Sequence, residues 1–171
     1  MLINRKYRKR HFVLQAGDVC RHENFILKGC ARAYSIDHQG KEHIAMFAIE
    51  GWWISDLYSF LTGTPASMNI DVLEETEILS IEKPNLERLY IEVPKFERMF
   101  RILFQNAFIA QQQRILGNIS KTAEERYSAF IQKYPTLEQR IPQHQVASFI
   151  GTSAETLSRL RKLAAKGASL S

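Results

Sequence analysis

The chain has 171 residues, of which 45% are hydrophobic and 24% are charged, and its formal net charge is +5. This length can form one compact domain or two small ones whose cores need no disulfide bonds. The first residues are too charged for a secretory signal and no apolar run approaches the length of a membrane span, so we expect a cytoplasmic protein without membrane partners.

Short apolar or alternating runs, separated by turn residues, occupy the first half of the chain. Runs of this length and spacing are typical of strands in an antiparallel roll or barrel. The basic stretch at residues 5–10 fits a solvated edge strand. The sequence therefore predicts a β-domain over residues 1–92, with strands in the stretches 12–14, 25–27, 31–36, 42–48, 70–73 and 77–81.

Residues 52–63 form the most aromatic segment of this β-domain. Adjacent tryptophans in a strand point to opposite faces, so at least one of Trp52 and Trp53 should enter the core. The other is expected to pack in the core or at an interface, and a platform for a ligand is the alternative. After Ser55 the alternation ends, and one or two helical turns are predicted.

Two helices are predicted next, the first at residues 82–92 and the second from Pro94 to about Ser120. The second helix is apolar on two sides, which indicates that it packs against two bodies. We expect these to be the β-domain and the same helix of a second chain in a homodimer, with small residues allowing close approach. Burial in a single core is the alternative. The predicted dimer contacts are Phe100, Leu103, Ala107 and Ala110.

A further helix is predicted to begin with Ser120 as its N-cap and to end before Pro135. After a linker, apolar residues recur at helical spacing on both sides of Gly151, where a tight turn favours glycine. Thr152 or Ser153 can cap the second of these two helices, which we place at about residues 153–165. Helix, tight turn and helix together are typical of a helix-turn-helix. The residues predicted to close the wedge between the two helices are Val146, Ala147, Ile150, Leu157 and Leu160.

A polar stripe lies opposite the buried residues of that second helix, at positions 155, 158, 159 and 162. The first turns of a recognition helix contact base edges in the major groove of DNA. There Arg159 can donate two hydrogen bonds to guanine, and Glu155 can accept one from cytosine. The alternative is a solvated helix face on which Glu155 pairs with Arg159. The predicted DNA-binding residues are Gln143, Ser153, Glu155, Thr156, Ser158, Arg159, Arg161 and Lys162.

The distribution of charge favours DNA binding over a merely solvated face. Residues 133–171 carry six Lys or Arg and two Asp or Glu, whereas residues 50–97 carry three and ten. A basic end that coincides with the helix-turn-helix is what binding to the phosphates of double-stranded DNA requires.

A β-roll, a long helix and a terminal helix-turn-helix follow one another in an order that resembles the Crp/Fnr family of bacterial transcription regulators. The most specific matches are Ile141-Pro142-Gln143 and the run Glu155-Thr156-Leu157-Ser158-Arg159, which is similar to the family's recognition helix. The resemblance implies an α+β fold with an N-terminal antiparallel β-roll of the cyclic-nucleotide-binding, jelly-roll type at 1–92, a long dimerisation helix at 93–120 and a helix-turn-helix domain at 121–171. It also implies a homodimer on an inverted repeat of DNA, with RNA polymerase as a further partner.

One departure from the family concerns its cyclic-nucleotide cassette. Members that bind cyclic AMP use Gly-Glu-Leu followed by Arg-Ser/Thr-Ala, in which the arginine neutralises the phosphate. This chain has Ser55-Asp56-Leu57 and then Pro65-Ala66-Ser67-Met68, without the arginine. Because burying an unpaired phosphate is costly, we expect no cyclic-nucleotide binding in the usual pose, although an unknown small-molecule effector stays open. The residues predicted for an effector pocket are Trp53, Ser55, Asp56, Leu57, Ala66 and Ser67.

A second departure lies at the end, where the chain stops at residues 166–171, soon after the recognition helix. The family's β-hairpin wing would follow there, and we expect it to be missing. Since a wing mainly adds phosphate contacts, DNA binding would then depend more on dimerisation.

Two other functions stay open at this point. One is a ligand-binding or protein-interaction module whose helix-turn-helix no longer binds DNA. The other is a cupin-type metalloenzyme, which needs clustered His and carboxylate ligands. The five histidines include no His-x-His pair, and Cys20 and Cys30 lack the paired spacing of a zinc site. We therefore predict no metal, no cofactor and no enzymatic activity.

Overall fold

The structure is a computed structural model that describes residues 2–168, with the side chains of residues 2–163. The chain forms two compact units that divide between Ile102 and Leu103. The first unit contains eight strands, which are β1 (Leu2–Tyr7), β2 (Phe12–Leu14), β3 (His22–Lys28), β4 (Ala31–Ile36), β5 (Glu42–Ala48), β6 (Trp53–Ile54), β7 (Asn69–Val72) and β8 (Thr76–Glu82).

These strands form two four-stranded sheets, in the orders β1-β8-β3-β6 and β2-β7-β4-β5. All pairings are antiparallel, and several join strands far apart in sequence, such as β1 with β8. β1 lies at an edge, as predicted for the basic stretch at residues 5–10, but it ends at Tyr7. Residues 8–10 belong to the connection that follows.

Apolar residues that alternate along the strands fill the core of the roll. Ile26, Ile78 and Ile81 of one sheet, and Ile70 and Val72 of the other, have no exposed surface. Ile70 and Val72, two residues apart, lie on the same face of β7, as the alternation that predicted strands requires.

The turn between β3 and β4 requires glycine. Gly29 has a φ of +104°, and a Cβ atom there would lie 2.4 Å from the hydroxyl oxygen of Thr76 and 2.7 Å from its Cα. Backbone cannot yield to such contacts, so a larger residue would force β8 away from the turn.

Seven helices complete the described part of the chain. In the first unit, α1 follows β6 and α2 follows β8; α3 then extends from the first unit into the second, which contains the remaining four. Their bounds are α1 (Leu57–Thr62), α2 (Lys83–Glu92), α3 (Pro94–Ser120), α4 (Ala123–Lys133), α5 (Leu137–Arg140), α6 (Gln143–Phe149) and α7 (Ala154–Ala168). The predicted fold class, a β-roll followed by a long helix and a helix-turn-helix, is confirmed.

The N-cap predicted for α4 was wrong. The hydroxyl of Ser120 donates a hydrogen bond to the carbonyl of Leu116, so this residue still belongs to α3. Thr122 is the N-cap instead. Its side chain accepts from the backbone N–H of Glu125, whose carboxylate in turn accepts from the N–H of Thr122. This reciprocal pair is a capping box, which the position of Glu125 determines.

The dimer contact predicted at Phe100 was also wrong. Its side chain is 1% exposed within the first unit, where its ring lies 4.7 Å from the ring of Trp53 and 5.6 Å from that of Tyr90. A ring already buried in its own unit is unavailable to a second chain. Periodicity showed that the helix has two apolar sides, but it could not assign each side to its neighbour.

The expectation of a missing wing concerns residues 166–171. Residues 169–171 lie outside the described residues.

Candidate functional site

The helix-turn-helix is formed by α6, α7 and the turn between them. Gly151 has a φ of +69°, and the N–H of Thr152 donates to the carbonyl of Ala147 across the turn. A left-handed residue directly after the C-cap, which is Ile150 here, followed by such a bond, is a common way to end a helix. The turn thus reverses the chain at the predicted glycine.

The wedge between α6 and α7 is buried as predicted. Val146, Ala147, Ile150 and Leu157 are at most 4% exposed, and Leu160 is half-buried. Ala147 is small where α6 meets its partner, which lets the two short helices approach closely. Packing of this wedge fixes which face of α7 points outward.

That outward face brings together the four residues of the predicted polar stripe. Glu155, Ser158, Arg159 and Lys162 line one open surface depression of about 520 Å³. Three of the four are exposed, and Ser158 is half-buried. Among the residues that the structure describes, no ion pair joins Glu155 to Arg159, and the solvated helix face stays the alternative to DNA binding.

Ser153 and Thr156 have a local task at the start of α7. The hydroxyl of Ser153 accepts from the backbone N–H of Thr156 at 3.1 Å and donates to its hydroxyl at 2.9 Å. Ser153 is therefore the N-cap, one of the two residues predicted for that position. These two side chains stabilise the first turn that carries Glu155.

Arg161 points away from the predicted stripe. Its Nε lies 3.0 Å from a carboxylate oxygen of Glu138, which also accepts a hydrogen bond from the hydroxyl of Tyr127. Burial and this bond to Glu138 raise the pKa of Tyr127 to about 12, so the phenol keeps its proton. Arg161 thus fastens α7 to α4 and α5, whereas Gln143, also predicted to contact DNA, is exposed at the start of α6.

Arg126 is a residue of this site that the sequence did not indicate. From α4, its guanidinium donates to the carbonyls of Ile150 at 2.7 Å and Gly151 at 3.2 Å, and also to that of Lys121. These hydrogen bonds therefore tie α4 to the turn between α6 and α7. The capping box places residue 126 on the first turn of α4, but its partners lie 24 and 25 residues further along and leave no local signal.

In the roll, the segment predicted as an effector pocket is organised by one buried carboxylate. Asp56 is 1% exposed and is the N-cap of α1. Its two oxygens accept from the backbone N–H groups of Ser59, Ser67 and Met68, at 3.0, 3.0 and 3.2 Å. These are the donors that an anion at the start of α1 would use, and a carboxylate of the chain already occupies them.

The other residues predicted for that pocket are likewise engaged within the roll. Trp53 packs against Phe25 with ring centres 5.1 Å apart, and the hydroxyl of Ser55 donates to Glu23 at 2.8 Å. Ala66 is buried and exchanges backbone hydrogen bonds with two residues of the neighbouring loop, and Leu57 is half-buried. The structure thus brings these residues together around α1, where their hydrogen bonds and ring contacts are made to other residues of the roll.

Glu23 is the second buried carboxylate of this region. Burial raises its pKa from the ordinary 4.5 to about 7, and the hydrogen bond from Ser55 opposes that rise only in part. The carboxyl therefore changes its charge close to neutral pH.

The three remaining residues predicted at the dimer interface have different environments. Leu103 is half-buried and Ala107 is exposed, whereas Ala110 lines a cavity between α3, α4 and α6. The large apolar side chains that α3 exposes lie elsewhere on the helix. In the second unit these are Phe108, Ile109, Ile115, Leu116 and Ile119, each more than half exposed.

A metal site was predicted to be absent. Among the side chains that the structure describes, no group of three or more His, Cys, Asp or Glu is placed to hold a metal ion. His43 instead lies 2.7 Å from the carboxylate of Asp37 in the exposed β4–β5 hairpin. No helix within residues 2–168 combines the length and apolar character that crossing a membrane needs.

The sequence and the fold were compared with known proteins. The family model described as cyclic nucleotide-binding domain matches residues 4–92. The fumarate and nitrate reduction regulatory protein of Vibrio cholerae is 29% identical over 174 residues, which cover 93% of this chain and 68% of the relative. The regulatory protein HlyX of Actinobacillus pleuropneumoniae is 28% identical over 178 residues, covering 93% and 71%.

Among solved structures, FixK2 from Bradyrhizobium japonicum superimposes with a TM-score of 0.82 at 16% identity, covering 98% of this chain and 86% of that one. A likeness at this identity establishes the fold. The relatives named above are regulatory proteins rather than enzymes. Together with the matched domain, these findings show that the chain belongs to the Crp/Fnr family of bacterial transcription regulators.

Proposed function

We propose that this chain is a sequence-specific DNA-binding transcription regulator whose helix α7 enters the major groove. The observation that carries the proposal is the outward face of α7, where Glu155, Ser158, Arg159 and Lys162 share one open depression. The buried wedge beneath them holds α7 in a fixed orientation, as a recognition helix requires. The names of the two relatives given above, which describe regulatory proteins, are consistent with this proposal.

Each residue of the depression has a distinct chemical task on DNA. Arg159 donates two hydrogen bonds to O6 and N7 of guanine, and Glu155 accepts one from N4 of cytosine. Ser158 can donate or accept. Lys162, one turn further along α7, contacts phosphate and contributes affinity without sequence preference.

The active form is a homodimer that pairs through α3. Five large apolar side chains of residues 108–119 are each more than half exposed, which is unusual for a surface that stays in water. Phe108 and Ile115 are seven residues apart, and so are Ile109 and Leu116. Seven residues is the heptad repeat of two helices in a coiled coil. Two such chains would place two recognition helices on an inverted repeat, with half-sites about one helical turn apart.

The β-roll is a scaffold or sensor that does not hold a cyclic nucleotide in the family's usual pose. Asp56 already accepts from the backbone N–H of Ser59 in α1 and from those of Ser67 and Met68, and a phosphate there would face a buried carboxylate. The cassette arginine that would offset this repulsion is replaced in this chain, whose sequence there is Pro65-Ala66-Ser67-Met68. An effector of the roll, if it exists, belongs to another chemical class.

The test is selection of bound duplexes from a random DNA library by the purified full chain, followed by titration of the enriched sequence at two salt concentrations. We expect an inverted repeat with a G·C pair in each half-site. Binding that is sensitive to salt but indifferent to sequence would contradict the proposal and favour a module that binds a ligand or another protein.

The dimer has its own measurement, the molar mass by light scattering. Ile109→Glu should lower the mass to that of a monomer, because a carboxylate cannot be buried unpaired in the helix pair. Ile91→Glu is the matched control, since Ile91 is 81% exposed on α2. If the two variants have the same mass, pairing through this face of α3 is wrong.

A further inference from the structure

The second unit contains a cavity that the DNA-binding proposal does not use. It has a volume of about 340 Å³ and lies between α3, α4 and α6, so all of its walls belong to one compact unit. This volume is in the range of pockets that hold small organic molecules.

The floor of the cavity is aromatic. Phe130, Tyr134 and Phe149 stand around one another with ring centres 5.2 to 6.1 Å apart. On the opposite wall, Ala110 and Gly117 of α3 leave the space open. A Cβ atom added at Gly117 would meet only the flexible side chain of Lys121, at 3.6 Å. The cavity therefore favours a flat, apolar molecular body.

The remaining wall is strongly cationic. Arg114, Lys121, Arg126 and Lys133 line the cavity, and no Asp or Glu occurs among the described residues that line it. The guanidinium of Arg114 lies 4.3 Å from the centre of the Phe149 ring. Burial lowers the pKa of Arg114. A negative charge in the cavity would lie close to all four of these cationic side chains.

We propose that this cavity is a binding site for a small anionic molecule with an aromatic body, such as an aromatic carboxylate. The ring lies against the floor of Phe130, Tyr134 and Phe149, and the carboxylate lies toward Arg114, Lys121 and Lys133. The guanidinium of Arg126 adds to the positive field while its hydrogen bonds go to backbone carbonyls. This proposal concerns binding alone and does not depend on DNA binding by α7.

The experiment measures binding of three probes to the full chain by isothermal titration calorimetry. The probes share one ring system and differ in charge: 2-naphthoate is an anion, 2-naphthamide is neutral and 2-naphthylmethylamine is a cation at neutral pH. We expect 2-naphthoate to bind at least tenfold more tightly than 2-naphthamide, and the amine not to bind. Equal binding of the acid and the amide would overturn the assignment of the ligand class.

Two variants locate the site. Gly117→Leu fills the cavity from a helical position where leucine is favoured over glycine, so the fold is retained, and it should abolish binding of 2-naphthoate. The double variant Lys121→Gln with Lys133→Gln should weaken 2-naphthoate about tenfold and leave 2-naphthamide unchanged. The control Lys95→Gln removes an exposed charge at the start of α3 and should change neither.

Unchanged binding to Gly117→Leu would place the probe elsewhere and overturn the proposal. A second copy of the chain is the other conceivable occupant of the cavity. In that case Gly117→Leu would change the molar mass by light scattering while 2-naphthoate failed to bind the parent protein, and the proposal would again be wrong.

Discussion

The interior of the β-roll and the outward face of α7 use charged side chains in opposite ways. In the β-roll, the buried charges find partners within the chain. Arg32 donates to both carboxylate oxygens of Asp71, at 2.8 and 2.9 Å, and also to Glu42. On α7, Glu155 and Arg159 stay exposed beside each other. The ion pairs of Arg32 with Asp71 and Glu42 form a closed network that stabilises the fold. The exposed side chains of α7 form an open set of charges that is available to an external partner.

The largest effect on stability is predicted for the closed network around Arg32. Asp71→Ala leaves the guanidinium of Arg32 buried with only one carboxylate, Glu42, and should lower the free energy of unfolding by about 3–5 kcal/mol, the usual cost of breaking a buried pair. Both side chains are 9% exposed, so solvent cannot replace the lost partner. Burial by itself lowers the pKa of Arg32, but its hydrogen bonds to Asp71 and Glu42 outweigh burial and raise it. Urea unfolding followed by circular dichroism measures the change.

Glu155→Ala is the control for that experiment, because it removes a carboxylate from the open set. We expect a change within about 0.5 kcal/mol, as for most surface substitutions. If Glu155→Ala destabilised the protein as much as Asp71→Ala, the contrast between the buried ion pair and the exposed face of α7 would be wrong.

The second prediction concerns the pH dependence of the roll. The folded state raises the pKa of Glu23 from 4.5 to about 7, so this group favours folding most below pH 4.5. Its contribution is lost as the pH rises toward 7, because the folded state must then either bury a charge or hold a proton that the unfolded chain has released. At about 1.4 kcal/mol for each pKa unit, the loss is on the order of 3 kcal/mol.

The variant that tests this is Glu23→Gln, which keeps the shape and removes the titration. Stability measured by urea unfolding between pH 4.5 and pH 7.5 should fall less steeply in the variant than in the parent. Glu75→Gln, at an exposed position, should keep the parent slope. Parallel curves for Glu23→Gln and the parent would show that Glu23 is not the group responsible.

Features formed by residues close together in the sequence could be predicted, whereas features that join distant residues could not. The polar stripe of α7, its cap at Ser153 and the turn at Gly151 all lie within a few residues of one another, so local spacing revealed them. The network around Asp56 could not be seen in that way, because its donors include Ser67, 11 residues away. Arg126 was missed for the same reason, since it reaches carbonyls across 24 residues. These hydrogen bonds form only when distant parts of the chain pack together, so local spacing carries no sign of them.

The third prediction concerns the exposed side chains of α7, and the measured quantity is the affinity for DNA. Arg159→Ala should weaken binding to the selected sequence by about 1–3 kcal/mol and relax the preference at one base pair, because a bidentate contact to guanine is lost. Lys162→Ala should weaken binding to all sequences alike and make it less sensitive to salt. Fluorescence anisotropy on the selected duplex, its single-base variants and random DNA separates the two effects. Equal losses on selected and random DNA for Arg159→Ala would exclude a base contact for this residue.

The smallest effect, and the most sharply controlled, is expected at two glycines of the second unit. Gly151→Ala should destabilise the protein by about 1 kcal/mol, since an L-residue at a φ of +69° is strained even though its Cβ would make only an ordinary contact, 3.7 Å from the side-chain oxygen of Asn118. Gly117→Ala should do the opposite and stabilise by about 0.5–1 kcal/mol, because Gly117 lies inside α3 at an ordinary φ and its new methyl group makes only a normal contact. Thermal unfolding followed by circular dichroism compares the two. Opposite signs would show that the turn of the helix-turn-helix, and not glycine content in general, requires the flexible residue; a stabilising Gly151→Ala would mean that the turn does not hold its left-handed conformation.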